Sequence, residues 1–240
     1  MRARSIGTPC WRVRPTQRQR ISSMPSMTSP RKTTRDLRTY HRAEVVVVYK
    51  TRESFGGLSN MASGFPLLVN GVRILTSEAL YQACRFPHLP EVQRAIIGQH
   101  SPMTAKMKSR PYRNESRPDW ELIRFKVMRW CLRVKLAQHY EAFGQLLLAT
   151  EDRPIVEQSR KDDYWGAKSS GVADEVLIGE NVLGRLLMEL RDQLKRDSKG
   201  QLKTVAPLAV RDFLLLGSPI AMVTESPFLR ENQDQQPTLF

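Results

Sequence analysis

A chain of 240 residues with 40% apolar and 26% charged content has room for one domain with extensions or two small ones, and enough apolar material for a real core. No apolar run approaches the roughly 18 residues needed to span a bilayer. The three cysteines, Cys10, Cys84 and Cys131, are far apart and lack metal-ligand spacing, so a cytoplasmic protein with reduced thiols and no membrane partner is expected.

The net charge of +14 is unevenly spread. Residues 1–43 hold 11 of the 38 Lys and Arg and a single acid, Asp36, which leaves 27 basic against 23 acidic residues in the remainder. This stretch is rich in Arg, Ser, Thr, Pro and Gln without apolar periodicity, and reads as a disordered basic tail. It fits a nucleic-acid-binding arm, a targeting peptide, or an over-long start with Met24 and Met27 as alternative initiators.

After the tail, Val45–Tyr49 is a β-branched run that predicts a buried strand. The glycine-rich stretch 54–64, with Ser59 and Asn60, predicts a long ordered loop. Phe65–Val69 and Val72–Leu75 flank Asn70-Gly71, the strongest short hairpin signal. The hairpin leads into a short helix over Thr76–Phe86, and further helices are expected at Val92–Ile97 and Ala105–Lys108. A basic loop spans Tyr112–Pro118. The longest helical pattern runs from Trp120 to about Leu148, with a break expected at His139-Tyr140 or Gly144. Pro154–Glu157 reads as a short strand, Asp162–Ser170 as a loop, and Leu183–Leu194 as a helix starting near Gly179–Asn181. Lys195–Lys203 is a charged linker, Phe213–Leu216 a last short element, and Thr224–Phe240 a loose end. The fold class is α+β: a helix-rich single domain over residues 44–195 with a few short strands, followed by a linker and extension over 196–240.

Four places are suited to chemistry. On the Thr76–Phe86 helix, Glu78, Gln82 and Arg85 fall on one face, because residues three, four and seven apart share a side; a capped helix with an acid in its first turn explains the same residues. Asp162-Asp163-Tyr164-Trp165-Gly166 sets carboxylates beside a large ring, as base stacking and ribose binding need, or forms an ordinary polar turn. Leu58-Ser59-Asn60 could hold a sugar or phosphate. Gly179–Gly184 opens a helix at Asn181, where backbone amides bind anions or Asn merely caps. Trp120, Met128 and Trp130 read most simply as core. There is no phosphate-binding loop, no dinucleotide fingerprint, no GxSxG elbow and no His/Cys cluster. Carboxylate chemistry without a metal, or a binding module, remains.

Taken in order, these pieces resemble the NADAR (YbiA-like) superfamily. The matching path is Phe55 with Leu58-Ser59-Asn60, then Thr76-Ser77-Glu78 with Gln82, Arg85 and Phe86. It continues through Ala105-Lys106, Trp120, Met128, Lys135, Leu147 to Thr150 and Ile155-Val156-Glu157. It ends on Asp162, Trp165-Gly166, Gly179, Asn181, Leu183-Gly184, Leu187-Met188 and Arg191. Arg85 stands where Lys is common, which keeps the charge and changes its geometry. The resemblance implies an N-glycosidase acting on ribosyl–base bonds without metal or other cofactor. Glu78 would be the catalytic carboxylate and Asp162 the second. Ser59, Asn60, Gln82, Trp120, Trp165, Gly166 and Asn181 would bind substrate, and Lys106, Arg85 and Arg191 would meet phosphate.

Within the superfamily, the stretch from Ser77 to Pro87 and the Pro102–Lys106 region resemble the branch that removes ADP-ribose from guanine in DNA. That branch implies ADP-ribosylated DNA as substrate and functional pairing with a DNA-targeting ADP-ribosyltransferase toxin. The alternatives are an N-glycosidase of phosphoribosylamino-pyrimidine intermediates of riboflavin synthesis, a non-catalytic ADP-ribose-binding module, and a simple basic nucleic-acid-binding protein.

Overall fold

Short strands of β-branched and aliphatic residues form the frame, and in the computed structural model they pair across long sequence separations. The structure describes residues 36–170 and 175–225. The tail expected over 1–43 lies outside this range up to residue 35, as do Cys10 and the loose end from residue 226. Strand β1 (Arg38–His41) runs antiparallel to β7 (Val176–Gly179), which also pairs with β6 (Lys168–Ser170). Ordered structure therefore begins ahead of residue 44, inside the basic stretch. Strand β2 (Val46–Val48) lies parallel to β5 (Ile155–Glu157), with Val46 opposite Ile155 and Val48 opposite Glu157.

The Asn70-Gly71 turn joins β3 (Leu67–Val69) to β4 (Val72–Ile74). Asn70 and Gly71 have φ of 50° and 74°. Positive φ at both central residues marks a type I′ turn, whose twist matches that of the flanking strands. The hairpin delivers the chain to α1 (Ser77–Ala83), capped by the Thr76 hydroxyl, which accepts from Ala79 N at 3.2 Å. Helices α2 (Pro90–Ile97) and α3 (Pro102–Ser109) each carry proline in the first turn, where no N–H is lost. The expected basic loop after α3 forms a 3-10 turn over Arg110–Glu115.

The long helical pattern breaks at His139 into α4 (Trp120–Gln138) and α5 (Tyr140–Leu148). His139 leaves helical geometry (φ −129°, ψ 47°), and its Nε2 lies 2.6 Å from Pro66 O. Gly144 stays helical, and its missing side chain lets Leu194 of α6 (Val182–Lys195) lie against α5. Val127, Cys131, Val134 and Leu136 make α4 the centre of the core. Cys84 and Cys131 are free and buried, and burial pushes the Cys131 thiol up.

The segment after α6 packs back on this core instead of extending as a linker. Leu202, Val205, Phe213, Leu215, Ile220 and Val223 are buried. Trp130 packs edge-on to Phe213 with ring centres 4.9 Å apart and donates from Nε1 to Ala206 O at 2.9 Å. Short paired strands tie it down: β8 (Thr204–Val205) with β11 (Val223–Thr224), and β9 (Leu214–Leu215) with β10 (Ser218–Pro219). Among the described residues, no helix is long and apolar enough to cross a membrane.

Candidate active site

Glu78 sits in the first turn of α1, where the helix dipole favours an acid, yet it is only 3% exposed. A buried carboxylate needs partners, and both of its oxygens have them. Gln82 Nε2, one helical turn on, donates to Oε1 at 2.9 Å, and Asn60 Nδ2 donates to Oε2. Lys106 Nζ from α3 stands 3.9 Å from Oε1. Asn60 reaches this position because its own carbonyl accepts from Glu78 N at 2.9 Å, locking the 55–60 loop onto the start of α1.

The other side of that loop is held by Lys135. It is fully buried, donates to Gly57 O at 2.6 Å and Ser59 O at 3.0 Å, and stands over the Phe65 and Phe143 rings at 4.5 and 4.4 Å. Burial brings its pKa down to about 7, opposed by attraction to Glu157.

Glu78 opens into a cavity of about 530 Å³. One wall is aromatic: Tyr81 lies between Trp120 (centroids 5.0 Å) and Trp165 (5.5 Å). Cations Arg85, Lys106, Arg113 and Arg124 lie on the lining. Arg85 Nε donates to Ser116 Oγ at 2.6 Å, and its guanidinium lies over Trp120 at 5.5 Å. Arg124 stacks on Tyr164 at 3.7 Å and pairs with Glu121 at 3.1 Å. Asp162 shapes the far side. Its Oδ1 accepts from Tyr164 N and Trp165 N at 3.0 and 2.9 Å, which fixes the turn that presents Trp165 and Gly166.

Of the residues singled out from sequence, the structure brings Glu78, Asp162, Asn60, Gln82, Arg85, Lys106, Trp120, Trp165 and Gly166 to one cavity. Ser59, Asn181 and Arg191 are elsewhere. The Ser59 hydroxyl turns back to accept from Met61 N at 3.2 Å. Asn181 stands at the N-cap position of α6 with φ 50° and makes no side-chain cap bond. Its side chain clips β5, accepting from Glu157 N at 3.0 Å and donating to Ile155 O at 2.8 Å. Arg191 is 4% exposed, and its Nη1 donates to Thr150 Oγ1 and Arg153 O, both at 2.8 Å. Phe55 packs on the core.

One residue missed as a site group is Glu157, which also lines the cavity. Its Oε2 is covered and has no hydrogen-bond partner. Burial and the nearby Glu78 charge raise its pKa to about 8 against the pull of Lys106 and Lys135. Ile155-Val156-Glu157 belongs to the matching path, but a place at the end of a short strand does not mark Glu157 as a cavity group. Among the described residues no three His, Cys, Asp or Glu converge as a metal-binding group.

Residues 47–195 match the family model described as NADAR domain. The chain is 40% identical over 151 residues to N-glycosidase YbiA of Escherichia coli strain K12, covering 62% of this chain and 88% of that protein. It is 33% identical over 162 residues to riboflavin biosynthesis protein VVA0006 of Vibrio vulnificus, covering 67% of this chain and 41% of that one. The NMR structure of the E. coli protein YbiA superposes with a TM-score of 0.53 at 35% identity, over 65% of this chain and 92% of that one. A buried, amide-held carboxylate beside an aromatic wall is thus set in a helix-and-strand frame shared with these proteins. The chain belongs to the NADAR domain family, as an enzyme of the N-glycosidase class.

Proposed function

We propose that the enzyme hydrolyses the N-glycosidic bond between a phosphorylated ribose and a nitrogenous base, and that its substrate is ADP-ribosylated guanine in DNA. The observation that carries the reading is Glu78, an acceptor on both oxygens at the floor of a cavity large enough for a sugar and a base. Breaking such a bond leaves an oxocarbenium-like sugar, and a carboxylate fixed by amides stabilises that cation without reorganising. Trp120, Tyr81 and Trp165 give the flat apolar face a base stacks on. Asp162, beside them on the lining, is placed for ribose hydroxyls.

The spread of cations supports the finer substrate. Arg85, Lys106, Arg113 and Arg124 line the cavity, Lys106 beside Glu78 and Arg124 beside Glu121. They suit a pyrophosphate with the DNA phosphates around it. On this reading an ADP-ribosyltransferase toxin acting on DNA is the functional counterpart that makes the substrate. The names of the riboflavin-related relatives favour a second reading, a phosphoribosylamino-pyrimidine.

The test is release of ADP-ribose from an ADP-ribosyl-guanine oligonucleotide, run beside release of ribose 5-phosphate from the pyrimidine intermediate. Glu78→Gln should fold and lose base release, and chelator should leave the wild-type rate intact. Full activity of Glu78→Gln, or loss with chelator restored by Mg, overturns the mechanism. Turnover of the pyrimidine alone overturns the DNA substrate.

A further inference from the structure

Glu78 accounts for the sugar side of the reaction and leaves the base side unserved. A departing base nitrogen takes the electrons of the broken bond and needs a proton. Glu78, held as an acceptor by two amides with Lys106 Nζ 3.9 Å away, is arranged to take a proton and not to give one.

The cavity holds a second carboxyl in the opposite circumstances. Glu157 ends β5, and its backbone is fixed on both sides. Its N–H is taken by Asn181 Oδ1, and its carbonyl accepts from Ala167 N at 2.8 Å. Gly166 lets the 162–166 turn lie directly on it, since a Cβ there would meet Glu157 O and come within 3.3 Å of Glu157 Cγ. The side chain therefore enters the cavity with its stem held and its Oε2 covered and unpartnered. A buried ionised oxygen with no donor is costly, whereas a carboxylic acid there keeps a hydrogen to give.

Resting on the N-glycosidase reading above, we propose that Glu157 is the general acid that protonates the departing base. As the C1′–N bond breaks, its electron pair goes to the base nitrogen and Glu157 transfers its proton to that nitrogen. Water then adds to C1′ and gives its proton to Glu78, and exchange with bulk water restores both carboxyls. The charged groups facing Glu157 are Glu78 from α1, Lys106 from α3, Lys135 from α4 and Asp162 from the loop that follows β5. Its register partner on β2 is Val48, and Asn181 at the start of α6 takes its N–H. The raised pKa of about 8 keeps the acid protonated at neutral pH.

Glu157→Gln and Glu78→Gln, each checked for a native melting transition, are to be assayed on two leaving groups. One is the base-linked substrate; the other is 4-nitrophenyl ribofuranoside 5-phosphate, whose leaving group departs as a stable anion. Glu157→Gln should lose about 100-fold or more in kcat on the base. It should stay within about threefold of wild type on the nitrophenyl compound, while Glu78→Gln loses both. Wild-type kcat on the base should fall as pH rises through about 8, and that limb should vanish in Glu157→Gln. Base release by folded Glu157→Gln within threefold of wild type, or equal loss on both substrates, overturns the assignment. Full activity of Glu78→Gln on both substrates overturns the glycosidase mechanism instead. No wild-type turnover of either substrate overturns both.

Discussion

Replacing Asn181 tests the architecture beneath the site more sharply than replacing a cavity residue. Its side chain makes two buried bonds to β5, to Glu157 N–H and Ile155 C=O, and its backbone stands at φ 50°. In Asn181→Ala both backbone groups lose their partner, at about 1–3 kcal/mol each. The left-handed conformation adds about 1 kcal/mol for alanine. The expected loss is about 3–7 kcal/mol, a large part of an ordinary domain's stability. Collapse into the gap is blocked, because α6 already lies against β5 at Gly184, where any Cβ would land on Ile155 O. Asn181→Gly loses the same two bonds without the φ penalty, so it should be the more stable variant by about 1 kcal/mol. Urea unfolding at low temperature, read by far-UV circular dichroism with equal m values, measures both differences. A loss below about 1 kcal/mol in Asn181→Ala, or an Asn181→Gly protein less stable than Asn181→Ala, would refute the clip.

Arg191→Met should cost about 2–4 kcal/mol by removing the donor from Arg153 O and from Thr150 Oγ1, which keeps its own bond to Leu147 O, with kcat/KM per folded molecule within twofold of wild type. A raised KM with unchanged stability would instead give Arg191 a role in phosphate binding. Glu157 titrates near 8 when folded and lower when unfolded, so the folded state holds the extra proton between those values. Its contribution is present below the unfolded pKa and is lost as pH rises through about 8. Glu157→Gln should therefore gain on wild type between pH 5 and pH 9, by about 2 kcal/mol after screening by cavity water. Parallel denaturation profiles would contradict the neutral acid.

The hairpin, the start of α1 and most helix positions were legible because their signals are local. Asn70-Gly71 dictates its turn, Thr76 its cap, and Gln82 falls one helical turn from Glu78. The same locality explains the misreadings. Asn181 stands where a cap belongs, but its conformation answers to β5, more than twenty residues earlier. Arg38–His41 looked like tail because its composition is basic, and its partner β7 is remote in sequence. Segment 196–225 looked polar between widely spaced apolar residues that reach the core singly. Glu157 needed three distant groups, Gly166, Ala167 and Asn181, to become a site residue.

The parallel pairing of β2 with β5 bears on how the enzyme comes into being. Glu78 acquires its amide partners from a neighbouring turn and a loop 18 residues away. Glu157 reaches the cavity only once a strand has closed on one more than a hundred residues earlier. Closing so long a loop is entropically slow relative to local helix formation. During refolding the helical signal should therefore return before turnover does, and the two carboxyls of one reaction centre would mark an early and a late stage of the same folding event.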